Sequence, residues 1–394
     1  MNVKKALFIS SLQIYPALSG GQLRSAHFCE ALVSQGFEVT VYSLTGRKED
    51  YLQRRKSFEN KLSQNLNEVV DMNPLFGVIQ LLSYRLELPP LWVTALLKIY
   101  TPRRLKQLLR EADLVVLDFP FLMPLLNRGS AEIWVNTHNA EFELWKDRPF
   151  LARVVRWLEN KCFSKAEKII FCSPQDQQKF IDTVPQLLQK SVIVPNGLNL
   201  EKFHSLHLRR SQVRARLGIQ ESVNVLLFSG STYGPNVEAF EYIKGVATQY
   251  AQELERAGVL IVVAGTVSEE KINTPTLRVL GRVDDMKDCL AMADFGFNPM
   301  DAGSGVNVKM IEFIASHLPI LSTGIGWRGL EVEDGASGVV FNRTDFLATV
   351  LKAVALSKVE KEAMAVLAYN KNEMSLDMEK SVKAIFENQK QVTL

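Results

Sequence analysis

What this 394-residue chain lacks already excludes several kinds of chemistry. It has only four cysteines, Cys29, Cys162, Cys172 and Cys289, with none of the close spacing that a paired set of metal ligands requires. Each lies in an apolar or helical context, which fits reduced thiols in a cytoplasmic compartment better than a disulfide framework. Neither sign of charge dominates, since 46 Lys and Arg against 43 Asp and Glu leave a net charge of +3. So small an excess does not call for a nucleic-acid partner. No run is long enough and free enough of charge to cross a bilayer. Ala6 to Ile9, behind two lysines, is too short for a signal-peptide core, and glycines with an amphipathic helix follow at once. There is no repeat at a solenoid period and no low-complexity tract.

What is present is the make-up of a soluble globular protein, 47% hydrophobic and 23% charged, at a length that predicts two domains. Ala6 to Ile9 has the pattern of a buried parallel strand. Gln22 to Gln35 reads as a helix with Leu23, Ala26, Phe28, Ala31 and Leu32 inward, closed by Gly36, and Glu38 to Ser43 as the next strand. Gly20 and Gly21 lie between the first strand and its helix. The Gly-x-Gly-x-x-Gly turn of a dinucleotide oxidoreductase is missing, and so is its acid after the second strand. Leu114 to Leu117, Glu132 to Asn136 and Lys168 to Phe171 read as further strands, with Ser173-Pro174 opening a helix. Ligands gather beyond the carboxyl ends of such strands, which is where His138 follows Asn136. Arg47 to Gln64 is charged and predicted helical. Pro74 to Tyr100, rich in Leu, Phe, Trp and Tyr, fits helices packed around a cleft, the favoured reading. It also fits a membrane surface with Arg54, Arg55, Lys56, Arg103 and Arg104 near lipid phosphates.

Ser191 to Val194 is a strand stopped by Pro195-Asn196-Gly197, and the domain boundary is placed there. His204 and His207, followed by Arg209, Arg210, Arg214 and Arg216, read as a solvated helix face. Val223 to Ser229, Leu260 to Ala264, Leu277 to Leu280, Phe295 to Asn298 and Ile320 to Ser322 predict a second doubly wound set of strands. After Phe295 to Asn298 comes Gly303-Ser304-Gly305-Val306-Asn307-Val308-Lys309-Met310-Ile311-Glu312, small residues where a helix begins. Unpaired backbone N–H groups and the positive end of the helix dipole suit an anion there. Lys309 adds a mobile positive charge, with Glu312 about one turn on. A diphosphate with a ribose beyond it would satisfy both. The plainer alternative is packing glycines with an exposed Lys309–Glu312 ion pair. Leu376 to Asn388 is predicted to be a terminal helix.

These motifs resemble those of the retaining GT-B glycosyltransferases of family 4. Gly303 to Glu312 is similar to a subgroup's Gly-Ser-Gly-Val-x-x-Lys-x-x-Glu loop, and Thr137 to Glu141 to the His-Asn-x-Glu motif. Val194 to Asn199 resembles the family's interdomain hinge, and Gly230 to Asn236 its Gly-x-x-x-x-x-Pro-Asn loop. The resemblance implies an α/β fold of two Rossmann-like doubly wound domains facing a cleft. Residues 1–195 would form the acceptor side, with 375–394 crossing back to it as a helix, and 196–374 would bind the nucleotide sugar. It assigns catalysis to His138, Ser304 and Lys309, with His138 facing the donor sugar. Donor binding falls to Gly20, Gly21, Gly230, Ser231, Arg282, Val283, Gly303, Gly305 and Glu312. Among these, Glu312 would hold the ribose and Arg282 and Val283 the edge of the base. The departure is Ser304, where many members carry a glutamate. The implied reaction moves a sugar from a nucleotide-diphosphate sugar to a hydroxyl of a glycan, lipid-linked or protein acceptor, with retention, in cell-surface glycan synthesis. No cofactor and no metal are expected, and the location would be cytoplasmic or peripheral to the inner face of the membrane. A GT-B nucleotide-sugar epimerase and a non-catalytic partner subunit stay open as alternatives.

Overall fold

A computed structural model of the chain describes residues 3–53, 55–126, 131–198, 200, 203, 205–303 and 306–392. The chain divides into two compact units, one of Met1–Pro195 with Met378–Leu394 and one of Asn196–Asp377.

The first unit holds strands β1 (Lys4–Ser10), β2 (Phe37–Ser43), β3 (Phe58–Lys61), β4 (Leu66–Val70), β5 (Leu114–Leu117), β6 (Glu132–Asn136), β7 (Lys168–Phe171) and β8 (Ser191–Ile193). They form one sheet in the order β3-β4-β2-β1-β5-β6-β7-β8, parallel except for β3. Its helices are α1 (Gly20–Ser34), α2 (Lys48–Leu52), α3 (Pro74–Arg85), α4 (Leu91–Ile99), α5 (Arg103–Glu111), α6 (Pro149–Lys165) and α7 (Pro174–Ile181). Strand residues alternate between two cores. Leu7, Ile9, Val115 and Leu117 meet one layer of helices, whereas Ala6, Phe8, Val39 and Val116 meet the other. Burial on both faces is why these strands read as continuous apolar runs.

The second unit holds α8 (Arg210–Leu217), β9 (Asn224–Ser229), α9 (Gly234–Gln249), α10 (Ala251–Arg256), β10 (Val259–Ala264), β11 (Leu277–Gly281) and α11 (Met286–Met292). It continues with β12 (Phe295–Asn298), α12 (Val308–Ala315), β13 (Ile320–Ser322), β14 (Val339–Val340), α13 (Phe346–Val354) and α14 (Lys358–Leu376). The parallel sheet runs β11-β10-β9-β12-β13-β14. Its order reverses beside β9, a switch point of the kind where open α/β sheets take ligands. A last helix, α15 (Met378–Val392), belongs to the first unit. Met378, Val382 and Ile385, spaced along one helical face, enter the core that contains Phe8 and Trp134.

Three expectations change. Arg47 to Gln64 is not one helix: after the short α2 the chain forms β3, an edge strand paired antiparallel to β4. An edge strand needs only one partner, so a charged sequence such as Phe58–Lys61 can take the role. The predicted terminal helix, Leu376 to Asn388, is present as α15, starting at Met378 after α14 ends at Leu376. Gly20 and Gly21 are the first turn of α1 rather than a loop before it, because the Ser19 side chain accepts from the Gln22 amide and caps the helix there. The arginine run after His207 is a solvated face only in part, with His207, Arg209 and Arg216 exposed. Arg214 is fully buried, donating to the Met292 and Val223 carbonyls and to Asp294, which also accepts from Arg210. His204 lies outside the described residues.

Candidate functional site

In the first unit, the carboxyl ends of β5 and β6 bring Asp118 and His138 together. The Nε2 of His138 lies 2.9 Å from an Asp118 carboxylate oxygen. A carboxylate only accepts, so this contact puts the imidazole proton on Nε2. Asp118 is fully engaged, accepting also from the Asn136 side-chain amide at 2.9 Å and from the Ser25 hydroxyl at 2.9 Å. The His138 ring stacks on Phe119, centroids 4.5 Å apart. Its Nδ1 points at the start of α1, where a Cβ placed on Gly21 would lie 3.4 Å away. Beneath it, buried Arg24 donates to the carbonyls of Thr137 and Val194 and to the Asn136 side chain, pinning the ends of β6 and β8. Glu141 is buried beside Glu159, and burial pushes its carboxyl up to about 7. Glu159 in turn accepts from the amides of Glu141 and Phe142, which fixes the turn after His138.

In the second unit, the loops after β9 and β12 meet. Gly230 follows β9, and Gly265, after β10, has φ +102. A Cβ on Gly265 would collide with the Gly230 carbonyl oxygen, so only glycine lets these strand ends approach. The amide of Asn236 donates to the Ser231 carbonyl at 3.3 Å, and its oxygen accepts from the ammonium of Lys309 at 2.8 Å. That ammonium also sits 4.0 Å from the centre of the Phe228 ring. Burial pushes the Lys309 amine down to about 7. Glu312, one turn along α12, keeps part of its surface open to solvent while the surrounding protein pushes its carboxyl up to about 7. Among the described residues no ion pair joins Lys309 to Glu312, and the Glu312 carboxylate has no hydrogen-bond partner. The exposed ion pair of the plainer reading is therefore absent, and Lys309 is anchored rather than mobile.

The loop before α12 is strapped from below. Arg328 donates to the carbonyl of Gly303, itself at φ +137, and Thr323 donates to the carbonyl of Met300. Asn307 spends its amide on the Gly326 carbonyl at 3.3 Å instead of capping α12. The first N–H groups of α12 are thus left without a side-chain cap, as is the Gly234 N–H at the start of α9, where Pro235 has no N–H and the Asn236 N–H donates to the Tyr233 carbonyl at 2.8 Å.

Residues 18–202 match the family model described as Glycosyltransferase Family 4, and residues 223–357 match the one described as Glycosyl transferases group 1. The chain belongs to this glycosyltransferase family. No curated protein matches the sequence. Among solved structures it is similar to WaaG, a glycosyltransferase involved in lipopolysaccharide biosynthesis, at 16% identity over 96% of this chain and 98% of that one, with a TM-score of 0.65. It is similar to HepE of Anabaena in complex with UDP and glucose, at 15% identity over 98% and 99% of the chains, TM-score 0.66. It also resembles the sucrose-phosphate synthase of Thermosynechococcus elongatus, at 13% identity over 99% of both chains, TM-score 0.67. At such identities the likeness shows the fold, two Rossmann-like domains of the GT-B type.

Within this glycosyltransferase, Gly21 and His138 are brought together in the first unit, with Gly20 beside them at the start of α1. Gly230, Ser231, Gly303 and Lys309 are brought together in the second. Gly281 is tied to Gly265 by a 2.8 Å backbone bond, so Arg282 and Val283 follow at the neighbouring strand end, the arginine exposed and the valine packed on the core. Ser304 and Gly305 lie outside the described residues. Sequence reasoning missed Asp118, Asn136, Ser25 and Arg24 around His138. It also missed Asn236 as the partner of Lys309, and Arg328. Of these, Asn136 and Asn236 stood in segments already singled out, the strand end before His138 and the Pro-Asn loop.

Proposed function

We propose that the protein transfers a sugar from a nucleotide-diphosphate sugar to an acceptor hydroxyl, with retention of anomeric configuration. The reading is carried by one arrangement: Lys309, held by Asn236, joins two helix starts without side-chain caps, while Glu312 presents a carboxylate with no hydrogen-bond partner among the described residues. The first N–H groups of α12, the Gly234 N–H at the start of α9 and the Lys309 ammonium suit a diphosphate, and Glu312 suits two ribose hydroxyls. In the reaction the acceptor oxygen bonds to the anomeric carbon, the bond from that carbon to the diphosphate oxygen breaks, and the acceptor proton leaves with the nucleoside diphosphate. Stabilising the charge on that leaving group is the main catalytic task, one that fixed N–H groups and an ammonium perform without a metal. His138, its proton turned towards Asp118, is assigned to the donor sugar. The acceptor is taken to be a glycan, a lipid-linked sugar or a protein, in cell-surface glycan synthesis at the cytoplasmic side of a membrane. The presence of UDP and glucose in the HepE structure supports a nucleotide-sugar donor.

Thermal melting against UDP, GDP, ADP and dTDP tests the donor site. A nucleotide at roughly one hundred times its dissociation constant stabilises the fold by about 2.7 kcal/mol. No shift with any of the four overturns the donor site. Acceptor-dependent release of nucleoside diphosphate then separates a transferase from an epimerase and from a non-catalytic partner. Activity that survives a chelator is the expected result for the metal-free chemistry.

A further inference from the structure

We infer that the outer face of α3 is a docking surface for an anionic lipid membrane. The helix turns Phe76 into the core, its ring 6.1 Å from Trp92 and 6.4 Å from Tyr100. On the other side Leu75, Val78 and Leu82 are 52%, 57% and 51% exposed, and Leu86 follows at 63%. Spaced i, i+3, i+7 and i+11, they form one apolar stripe along the helix. This departs from the favoured expectation that 74–100 packs inward: α4 does so through Val93 and Leu97, whereas among the described side chains of α3 Phe76 alone is fully buried. Just past α3, Glu87 is held by Arg148 at 3.1 Å, two residues before the 76% exposed Phe150.

Charge selects the occupant. Residues 72–106 contain Arg85, Lys98, Arg103, Arg104 and Lys106 against a single acid, Glu87, which Arg148 already engages. Among the described residues Arg85, Lys98, Arg103 and Lys106 have no acidic partner. A second copy of the chain related by a two-fold axis would set these cations against one another. The stripe is aliphatic, whereas the core of a protein interface is enriched in Tyr, Trp and Arg. An anionic bilayer answers both features, its acyl boundary taking the leucines and its phosphates the cations. The proposal does not depend on the donor-site reading.

Sedimentation of the full chain with vesicles tests it, using phosphatidylcholine alone and mixed with phosphatidylglycerol. The parent protein is expected to sediment with the mixed vesicles at low salt and to be released at high salt. A Leu75→Ser, Val78→Ser, Leu82→Ser triple variant is expected to stay in the supernatant with its melting midpoint kept, since the residues are exposed. Arg85→Gln with Lys98→Gln should lower partitioning about 30-fold, from about 1 kcal/mol for each cation near the surface. A parent that stays in the supernatant at low salt overturns the proposal, and so does a triple variant that sediments like the parent. Light scattering that finds a dimer broken by the triple variant, without vesicle binding, reassigns the stripe to self-association.

Discussion

The carboxyl ends of the two sheets handle charge in opposite ways. In the first unit His138, Asp118, Asn136 and Ser25 bond to one another and Arg24 underpins them, so among the described residues the polar groups here are answered within the protein except the Nδ1 of His138. In the second unit Lys309 has a neutral partner in Asn236, and among the described residues the Glu312 carboxylate has no hydrogen-bond partner. A closed network fixes one geometry in advance, whereas an unanswered carboxylate is held in readiness for something from outside. The first arrangement suits orientation of a ligand and the second suits its capture.

The contrast is sharpest in stability. Asp118→Ala leaves an amide, a hydroxyl and an imidazole N–H unpaired in the interior and is expected to cost about 3–5 kcal/mol in urea unfolding. Glu312→Ala should change stability by only about 0.5 kcal/mol, as for a surface position. Equal costs would break the comparison. Ligand binding should invert the order: Glu312→Ala is expected to weaken nucleoside diphosphate binding by on the order of a hundredfold, about 2.7 kcal/mol, in calorimetry. Ser304→Ala should do much less to nucleotide affinity. If Glu312→Ala binds like the parent, the donor-site assignment is wrong.

His138→Ala should lower turnover on the order of tenfold, about 1.4 kcal/mol in the barrier, with nucleotide affinity nearly unchanged. Equal loss of both in steady-state kinetics and calorimetry would make the histidine structural.

Acidity provides a finer probe. The Lys309 amine is held down near 7, so between about 7 and the ordinary lysine value the unfolded chain binds more protons. Its contribution to stability therefore grows as pH rises through that window. The Glu312 carboxyl is held up near 7, so the folded chain binds more protons between the ordinary glutamate value and about 7, and its contribution falls as pH rises there. A diphosphate prefers charged Lys309 and a ribose prefers charged Glu312, so nucleotide affinity should peak near neutrality. Glu312→Gln should remove the acid limb of that profile while leaving the alkaline limb in place. A flat profile in the parent would show that neither group meets the ligand. Asn236→Ala leaves the buried Lys309 ammonium without its oxygen partner and should cost about 1–3 kcal/mol in urea unfolding.

Much of the fold was legible because parallel strands buried on both faces stand out as apolar runs. Phe295 to Asn298 and Ile320 to Ser322 were readable to the residue. The edge was not, since the charged Phe58–Lys61 and the Asn-Glu of β4 hide their strands. Glu68 is buried there only because the amide of Ile14 and the hydroxyl of Ser43 donate to it. For the candidate site, the position of His138 after a strand was visible, but its partner Asp118 lies 20 residues away on the neighbouring strand. That contact exists only once β5 and β6 lie side by side. Asn236 and Lys309 are 73 residues apart, and Arg214 looked solvated because its acceptors, Met292 and Asp294, are far along the chain. Local pattern carries the elements, and the order of strands carries the partners.

The four free thiols have a practical consequence. Cys29, Cys162, Cys172 and Cys289 are all buried, and burial raises each above the usual thiol range, Cys172 and Cys289 to about 12. In the native protein they are therefore poor nucleophiles shielded from reagents. A maleimide in excess becomes a clock for transient opening, because each thiol reacts only when the structure around it comes apart. Three of these timers lie in the first unit and Cys289 alone lies in the second. Mass spectrometry of the labelled peptides would thus time the breathing of the two halves separately, in unmodified protein. Added nucleotide that slows only the Cys289 clock would report its own address.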